Sequence, residues 1–299
     1  MNYSSCINYF KNLNCKILEN ELMSKHTSFK IGGPADLFIE VYDLESLQKI
    51  LIFLNKNKIK YFLVGNGSNL LVNDTGYRGV IFNLKKNFEE LKIKDNIIEC
   101  GAGARLSDAC KFALKYSLSG LEFAYGIPGS CGGAVFMNAG AYGGEIKNII
   151  LKVICLDKNG VLFNFSNKEC RFSYRDSIFK HEDFIITSIF FKLIKNNYEK
   201  IKSNMNNLIL KRKLKQPLEY PSAGSFFKRP VNGYASALIE ECGLKGLQIG
   251  GAAVSKKHSG FIINLGGAKY TDIKKLQLEI ESRIAEKTNI KLEPEIIEI

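Results

Sequence analysis

The chain has 299 residues, 45% of them hydrophobic, which is enough for two domains or for one large domain with lobes. Its formal net charge of +12 favours anionic partners, which include nucleic acid, anionic surfaces and phosphorylated small molecules. The N-terminal residues do not resemble a signal peptide, and no apolar run approaches the length of a membrane span. We therefore expect a folded cytoplasmic protein that does not insert into a membrane.

The eight cysteines and three histidines are scattered, and no two cysteines form a Cys-x-x-Cys pair. This spacing suggests neither a zinc site nor a disulfide framework, so we expect no bound metal. Most of the cysteines are expected to be small core residues in a reducing compartment.

The first two thirds of the chain mix short strands with helices and glycine turns. Asp43 is predicted to cap a helix with apolar residues at helical spacing, and a second helix is predicted over residues 107–116. Asn159-Gly160 is predicted to turn a β-hairpin. The predicted strands cover residues 36–41, 61–64, 70–72, 79–83, 97–100, 150–156, 161–165 and 184–193. Because regular alternation with long helices is absent, we predict an α+β fold with mixed sheets.

The character of the sequence changes near residue 196, where we predict a domain boundary. A lysine-rich amphipathic helix is predicted over residues 198–215 and is ended by Pro217. The following elements suffice for a small α+β domain: a helix at 235–242, a strand at 261–264, a helix capped by Thr271, and a strand-like run at 290–299.

Two glycine-rich loops are candidates for binding a cofactor. Residues 126–144 hold seven of the 26 glycines, and residues 65–69 form a polar glycine loop after a predicted strand. Glycine allows main-chain N–H groups to approach a flat or anionic ligand closely. Gly65-x-Gly67 and Gly101-x-Gly103 do not continue as the dinucleotide fingerprint, because Leu70 and Leu106 stand where its third glycine belongs. The chain also has no Gly-Lys pair, which excludes a Walker-type loop. A tight connection between packed elements is the alternative interpretation of the 126–144 loop.

Arg175, Ser225 and Glu295 are polar groups in distinctive local sequences, but none is informative alone. Arg175 could be a salt-bridge partner of Asp176, Ser225 a turn residue, and Glu295 an exposed strand residue.

Seven sequence blocks taken together resemble the UDP-N-acetylenolpyruvoylglucosamine reductase family of bacterial cell-wall synthesis. The resemblance covers about residue 22 to the end of the chain. The two glycine loops alone would indicate only the wider family of flavoproteins with a vanillyl-alcohol-oxidase (PCMH) type of FAD domain. The blocks are, in order, HTSFKIGGPADLF, LVGNGSNLLV, GIPGSCGGAVFMNAGAYG, FSYRDSIFK, PSAGSFFKRP, VSKKHSGFIIN and LEPE.

The resemblance implies a two-lobed PCMH-type FAD-binding domain over residues 22–196, with the lobes divided near residue 80. It implies a smaller α+β substrate-binding domain over residues 197–299, whose last strand packs back near the FAD domain. Only fifty residues separate Arg175 from Ser225. This short spacing suggests the family type that lacks an extra substrate-covering loop. We separately expect the protein to be a monomer.

The resemblance also implies a reaction in two steps. NADPH reduces FAD, and flavin N5 then gives hydride to the enolpyruvyl C3 of UDP-N-acetylenolpyruvoylglucosamine to form UDP-N-acetylmuramate. Ser225 would protonate C2, while Arg175 and Glu295 would bracket the substrate carboxylate and stabilise the enolate-like intermediate. Glu295 suits that place only if it is protonated or if Arg175 screens it.

The implied binding residues fall into two groups. The FAD contacts would be Gly65, Asn66, Gly67, Ser68, Asn69, Gly126, Ile127, Pro128, Gly129, Ser130, Gly133, Asn138, Ala139 and Gly140. The substrate contacts would be Tyr174, Lys228, Arg229 and one of Lys213 and Lys215. His258 is either structural or in contact with flavin.

Two other functions remain open at the level of sequence. A flavin oxidase of the wider family would share the glycine loops, would consume oxygen with its substrate, and need not have Ser225 and Glu295 in these contexts. A non-enzymatic basic protein that binds nucleic acid would lose binding steeply with salt. No motif of interleaved aromatic and basic residues supports the second alternative.

Overall fold

The computed structural model describes residues 3–231 and 233–299. The chain forms two compact units. The first consists of Met1–Glu19, Leu37–Asn66 and Gly79–Lys211, and the second of Asn20–Asp36, Gly67–Arg78 and Arg212–Ile299. The assignment of FAD binding to residues 22–196 and of substrate binding to 197–299 stays a prediction, since compactness does not show what a segment binds.

Helices and strands are mixed along the chain, which confirms the predicted α+β class. The α-helices of the described residues are α1 (Ser4–Phe10), α2 (Leu44–Lys56), α3 (Leu106–Lys115), α4 (Cys131–Phe136), α5 (Tyr198–Lys215), α6 (Ala235–Glu241) and α7 (Tyr270–Thr288). Short 3₁₀ turns lie at Met23–Lys25, Lys86–Glu89, Glu122–Ala124, Ile146–Asn148 and Ile178–Lys180. Among these described helices, none is both long and apolar enough to cross a membrane.

The strands are short, and several contain only two residues. They are β1 (Cys15–Leu22), β2 (Pro34–Val41), β3 (Tyr61–Leu63), β4 (Leu70–Leu71), β5 (Tyr77–Leu84), β6 (Leu91–Lys94), β7 (Ile97–Gly101), β8 (Leu118–Ser119), β9 (Gly140–Ala141), β10 (Gly144–Glu145), β11 (Ile150–Leu156), β12 (Leu162–Ser166), β13 (Ile185–Lys192), β14 (Ile194–Lys195), β15 (Ser222–Ser225), β16 (Gln248–Ile249), β17 (Ala252–Val254), β18 (Phe261–Asn264) and β19 (Ile297–Glu298).

Two sheets supply apolar side chains to the core of the first unit. One sheet has the order β1-β2-β5-β3, in which β3 runs parallel to β5. The other is antiparallel, has the order β12-β11-β13-β7-β6, and contains the predicted hairpin of β11 and β12. Helix α2 buries Leu47, Ile50, Leu51 and Leu54 in the same core, as its helical spacing predicts.

The N-terminal helix α1 and strand β1 were not predicted. Helix α1 buries only Cys6 and Phe10, too few apolar positions for a periodic signal. Its place in the first unit depends on contacts distant in sequence, because the ring of Phe10 lies 5.3 Å from that of Phe53 in α2.

The second unit contains an antiparallel sheet of order β15-β18-β17-β16 with α6 and α7 packed in the same core. Helix α7 buries Ile273, Leu276, Ile280 and Ile284 at helical spacing. Two predictions about this region were wrong in detail. The cap of α7 is Lys269 rather than Thr271, since Asp272 accepts from the Lys269 main-chain N–H. Of the strand-like run at 290–299, only β19 is a strand, and it runs parallel to β4.

The helix cap at Asp43 gives the first testable prediction. Burial by itself raises the pKa of the Asp43 carboxyl, but hydrogen bonds from Ser46 and Asn14 outweigh it and leave the pKa below its usual range. We expect Asp43→Ala to lower the free energy of unfolding by about 1 kcal/mol at neutral pH, as for other lost caps. Denaturant unfolding of both proteins measures this difference.

The same cap should depend on pH. A carboxyl whose folded-state pKa is depressed stabilises the fold above its unfolded pKa, and this contribution disappears as pH falls through the folded pKa. The difference between wild type and Asp43→Ala should therefore shrink from about pH 7 to about pH 3, a range that includes the ordinary Asp pKa of about 3.9. The control is Asp108→Ala in α3, whose exposed carboxyl pairs with Lys111 and should contribute about 0.5 kcal/mol or less. An equal loss in the two variants would contradict the prediction.

Candidate functional site

The 126–144 loop contains α4, and several of its polar groups form hydrogen bonds within the protein. Ser130 is buried and caps the helix, because its hydroxyl accepts from the Gly133 N–H at 3.1 Å. The N–H groups of Cys131 and Gly132 donate to main-chain oxygens of Ala104 and Ala102. The Ser130 side chain therefore holds the loop in shape, and its predicted contact with FAD would have to involve other atoms.

The two predicted FAD loops meet in the first unit. A Cβ atom on Gly65 would collide with the hydroxyl of Ser130, and Asn66 Nδ2 lies 3.5 Å from the Pro128 carbonyl oxygen. The buried Asn83 donates from Nδ2 to the carbonyl oxygens of Val64 at 2.7 Å and Gly65 at 2.8 Å. Asn83 thus fixes the start of the 65–69 loop, and its sequence position within a strand gave no sign of this role.

The remainder of this loop lies in the second unit and packs against residues 26–28. Gly67 has a φ of +59°, and a Cβ atom there would collide with the carbonyl oxygen of His26. Ser28 donates from its main-chain N–H to the Gly67 oxygen at 3.1 Å. Glycine is therefore required at residue 67 by both its backbone conformation and its surroundings.

Main-chain hydrogen bonds bring Ser225 and Glu295 to neighbouring positions in the second unit. The Glu295 N–H donates to the oxygen of Phe226 at 2.8 Å, one residue after the exposed Ser225. On its other side, Asn69 Nδ2 donates to the Glu295 main-chain oxygen at 3.1 Å. The Asn69 amide, which was predicted to contact FAD, thus also holds the segment that carries Glu295.

The predicted substrate-binding cations also lie in the second unit. Lys228 Nζ lies 3.2 Å from a carboxylate oxygen of Glu293, and the Arg229 guanidinium lies 4.6 Å from the Tyr234 ring centre. Lys213 and Lys215 are both exposed near the end of α5. The choice between these two lysines stays a prediction.

Arg175 lies in the first unit, on a tight turn closed by paired hydrogen bonds of Ser173 and Asp176. It adopts a φ of +55°, which is uncommon for a residue with a side chain. Its Nη2 donates to the Gly140 oxygen at 3.3 Å, and its guanidinium carbon lies 5.2 Å from the ring centre of the exposed Tyr174. The structure therefore brings Arg175 to one end of the predicted FAD loop.

Asn138, another predicted FAD contact, is fully buried and its side chain makes three hydrogen bonds within the first unit. It donates to Glu145 Oε2 and to the Ser173 oxygen, and it accepts from the Lys147 N–H. Any contact of Asn138 with FAD is therefore expected from its backbone.

His258 makes local contacts in the second unit. Its Nδ1 accepts from the Gly260 N–H at 3.1 Å, and its ring packs edge-on against Phe261. Burial lowers the pKa of the His258 imidazole, which favours the neutral ring that this acceptor role requires. These contacts support the structural alternative for His258.

Comparison with known proteins gives two family matches. Residues 216–299 match the C-terminal domain of UDP-N-acetylenolpyruvoylglucosamine reductase, and residues 35–166 match an FAD binding domain. Together they cover most of the segment that carried the resemblance in the sequence.

Individual relatives agree over nearly the whole chain. A UDP-N-acetylenolpyruvoylglucosamine reductase of Caldanaerobacter subterraneus subsp. tengcongensis is 48% identical and covers 94% of this chain and 93% of its own length. One from Clostridium botulinum is 46% identical and covers 98% of this chain and 96% of its own. The crystal structure of UDP-N-acetylenolpyruvylglucosamine reductase from Thermus caldophilus is similar with a TM-score of 0.81 and 34% identity, covering 95% of this chain and 98% of that one.

The environment of Gly67 predicts a large effect of substitution. Gly67→Ala would pay roughly 1–2 kcal/mol for its left-handed backbone, and the collision with His26 typically adds about 1–3 kcal/mol. Gly243→Ala is the matched control, because Gly243 has a φ of +72° and open space around its Cβ position. We expect Gly67→Ala to unfold at clearly lower denaturant concentration than Gly243→Ala. Equal midpoints would contradict the role given to the His26 contact.

Proposed function

Because the chain belongs to the UDP-N-acetylenolpyruvoylglucosamine reductase family, we propose that it reduces the enolpyruvyl group of UDP-N-acetylenolpyruvoylglucosamine to give UDP-N-acetylmuramate for peptidoglycan synthesis. It is an FAD-dependent oxidoreductase with NADPH as hydride donor. The observation that carries the proposal is 48% identity to a named reductase over 94% of the chain. Neither the flavin-oxidase nor the nucleic-acid interpretation of the sequence has comparable support.

The residues present fit an FAD site made mainly of backbone. Gly65 and Gly67 are packed so closely that neither tolerates a Cβ atom, and Asn83 holds the oxygen of Gly65. Loops fixed in this way can present N–H groups to a diphosphate without a helix N-terminus. The chemistry that FAD supplies when bound is hydride transfer from NADPH to the enolpyruvyl carbon.

Ser225 is the proposed proton donor to C2 of the substrate. It is exposed at the end of β15, so its hydroxyl is accessible to a ligand. A serine hydroxyl is a weak acid, but it can protonate a much more basic carbanion if it is held within hydrogen-bond distance. The hydrogen bond from the Glu295 N–H to the Phe226 oxygen fixes the chain next to Ser225, which supports this role.

Arg175 and Glu295 are proposed to act on the substrate carboxylate and on the negative charge that develops beside it. Arg175 stays charged and offers a planar pair of donors to a carboxylate. Glu295 would donate a hydrogen bond if protonated, or be screened by the Arg175 charge if ionised. Tyr174 and the cations Lys228, Arg229 and either Lys213 or Lys215 are proposed substrate contacts, the cations at the diphosphate.

We further propose that the enzyme works in the cytoplasm as a monomer. Its substrate and NADPH are soluble metabolites, and its eight cysteines are present as free thiols. This arrangement suits a reducing compartment.

The role of Ser225 is tested by Ser225→Ala. The variant should bind FAD and be reduced by NADPH at the wild-type rate, because neither step uses the proton donor. Formation of UDP-N-acetylmuramate should fall by about 10²- to 10⁴-fold, the usual contribution of a positioned acid. Anaerobic stopped-flow absorbance separates the two half-reactions.

Ser222→Ala is a suitable control, because Ser222 lies on the same strand and is only partly exposed. It should retain both half-reactions. Near-normal product formation by Ser225→Ala would remove Ser225 from the proposed role.

A further inference from the structure

A two-stranded hairpin in the first unit carries the main-chain oxygen that accepts a hydrogen bond from Arg175. Strands β9 and β10 pair so that Gly140 lies directly opposite Glu145. Arg175 Nη2 donates to the Gly140 oxygen at 3.3 Å. A Cβ atom on Gly140 would lie 2.9 Å from Glu145 Cγ and 3.5 Å from Arg175 Nη1. The side chains of Glu145 and Arg175 therefore flank the same glycine.

Glu145 is an anion in this position. A hydrogen bond from Lys147 is the main cause that lowers the pKa of the Glu145 carboxyl, and the amide of Asn138 and the charge of Arg175 lower it further. The Glu145 side chain is 29% exposed, so water screens these interactions only in part. Glu145 Oε2 pairs with Lys147 Nζ at 2.8 Å, and its negative charge also attracts Arg175 within the same unit.

Asn138 connects the hairpin to the turn that carries Arg175. Its Nδ2 donates to Glu145 Oε2 at 3.1 Å and to the Ser173 oxygen at 2.7 Å. Its Oδ1 accepts from the Lys147 N–H at 3.0 Å. Ser173 closes the turn around Arg175 through its hydrogen bonds with Asp176. One buried amide therefore holds both the carboxylate and the base of the turn.

We propose that Glu145, held by Asn138, is a positioning residue for Arg175 that keeps the guanidinium oriented for the substrate carboxylate. This inference rests on the proposed function, since it concerns the residue proposed to meet that carboxylate. An arginine side chain loses much rotational freedom when it binds an anion. A fixed carboxylate and the Gly140 oxygen restrict that freedom beforehand, so less is lost when substrate binds. Glu145 itself need not touch the substrate.

The test is Glu145→Gln, which keeps the shape of the side chain and an acceptor for Asn138 but removes the charge. The control is Glu169→Gln in the same unit, whose carboxylate binds the N–H and hydroxyl of Ser166 and has no part in the site. In anaerobic stopped-flow experiments, NADPH should bleach the flavin of both variants at the wild-type rate. Restoration of the band by UDP-N-acetylenolpyruvoylglucosamine should slow on the order of ten- to a hundredfold in Glu145→Gln alone, as for other misplaced catalytic groups.

A double-mutant cycle separates positioning from a general structural effect. If Glu145 acts through Arg175, adding Glu145→Gln to Arg175→Ala should slow this second half-reaction by less than about twofold, because coupled residues are not additive. If the rate losses of Glu145→Gln and Arg175→Ala multiply in the double mutant, the inference is overturned. If Glu145→Gln fails to retain FAD, the same cycle is run with Glu145→Asp, because aspartate keeps the charge but shortens the reach to Asn138. The same criterion then applies: losses that multiply with that of Arg175→Ala overturn the inference.

The outcomes distinguish this inference from the proposed function. A wild-type flavin that NADPH bleaches but the enolpyruvyl sugar does not restore would contradict the proposed function itself. If the wild type completes both half-reactions but Glu145→Gln restores the flavin band as fast as Glu169→Gln, the proposed function stands. The positioning role of Glu145 is then overturned.

Discussion

The candidate chemistry of the second unit depends on hydrogen bonds to the main chain of residue 295 from both sides. The C-terminal segment donates to Phe226 on one side and accepts from Asn69 on the other, and further bonds join Ile297 to Asn69 and Ile299 to Leu71. The bonds of Glu295 N–H, Ile297 and Ile299 join main-chain atoms and do not depend on side-chain identity, whereas the bond from Asn69 requires its side-chain amide. Ser225 and Glu295, seventy residues apart in sequence, are thereby held at neighbouring positions.

In the first unit, closely packed glycines allow the loops of the candidate site to lie close together. Gly65 fits against Ser130, and Gly140 leaves space for both Arg175 and Glu145. Side chains at these positions would push apart the loops that define the proposed FAD site. Glycines in the 126–144 loop permit the tight connections that the structure shows, and they would also permit close approach of the proposed cofactor.

Local sequence was sufficient to predict a helix or strand where the pattern that indicates it lies within that one element. The bounds of α5 and β18 are those predicted, and Asp43 caps α2 as expected. Sequence failed where long-range contacts decide. Helix α1 has two buried residues, and the segment at 290–299 contains a two-residue strand because β4, more than two hundred residues earlier, is its partner.

The same distinction between local signals and long-range contacts applies to the candidate site. Arg175, Ser225 and Glu295 were identified through whole sequence blocks, and the family assignment confirms the resemblance those blocks carried. Asn83 and Glu145 were missed, because each lies against residues that only the fold brings near. The carboxylate that follows the paired glycines 143 and 144 was the one available signal for Glu145, and nothing local connects it with a residue thirty positions later.

The proposed function is tested most directly by the visible absorption spectrum of the purified protein under anaerobic conditions, followed through successive additions of NADPH and UDP-N-acetylenolpyruvoylglucosamine. We expect a flavin band that NADPH bleaches and the enolpyruvyl sugar restores, with UDP-N-acetylmuramate formed in equal amount. A colourless protein that takes up no added FAD, or a flavin that stays bleached with the sugar, would contradict it.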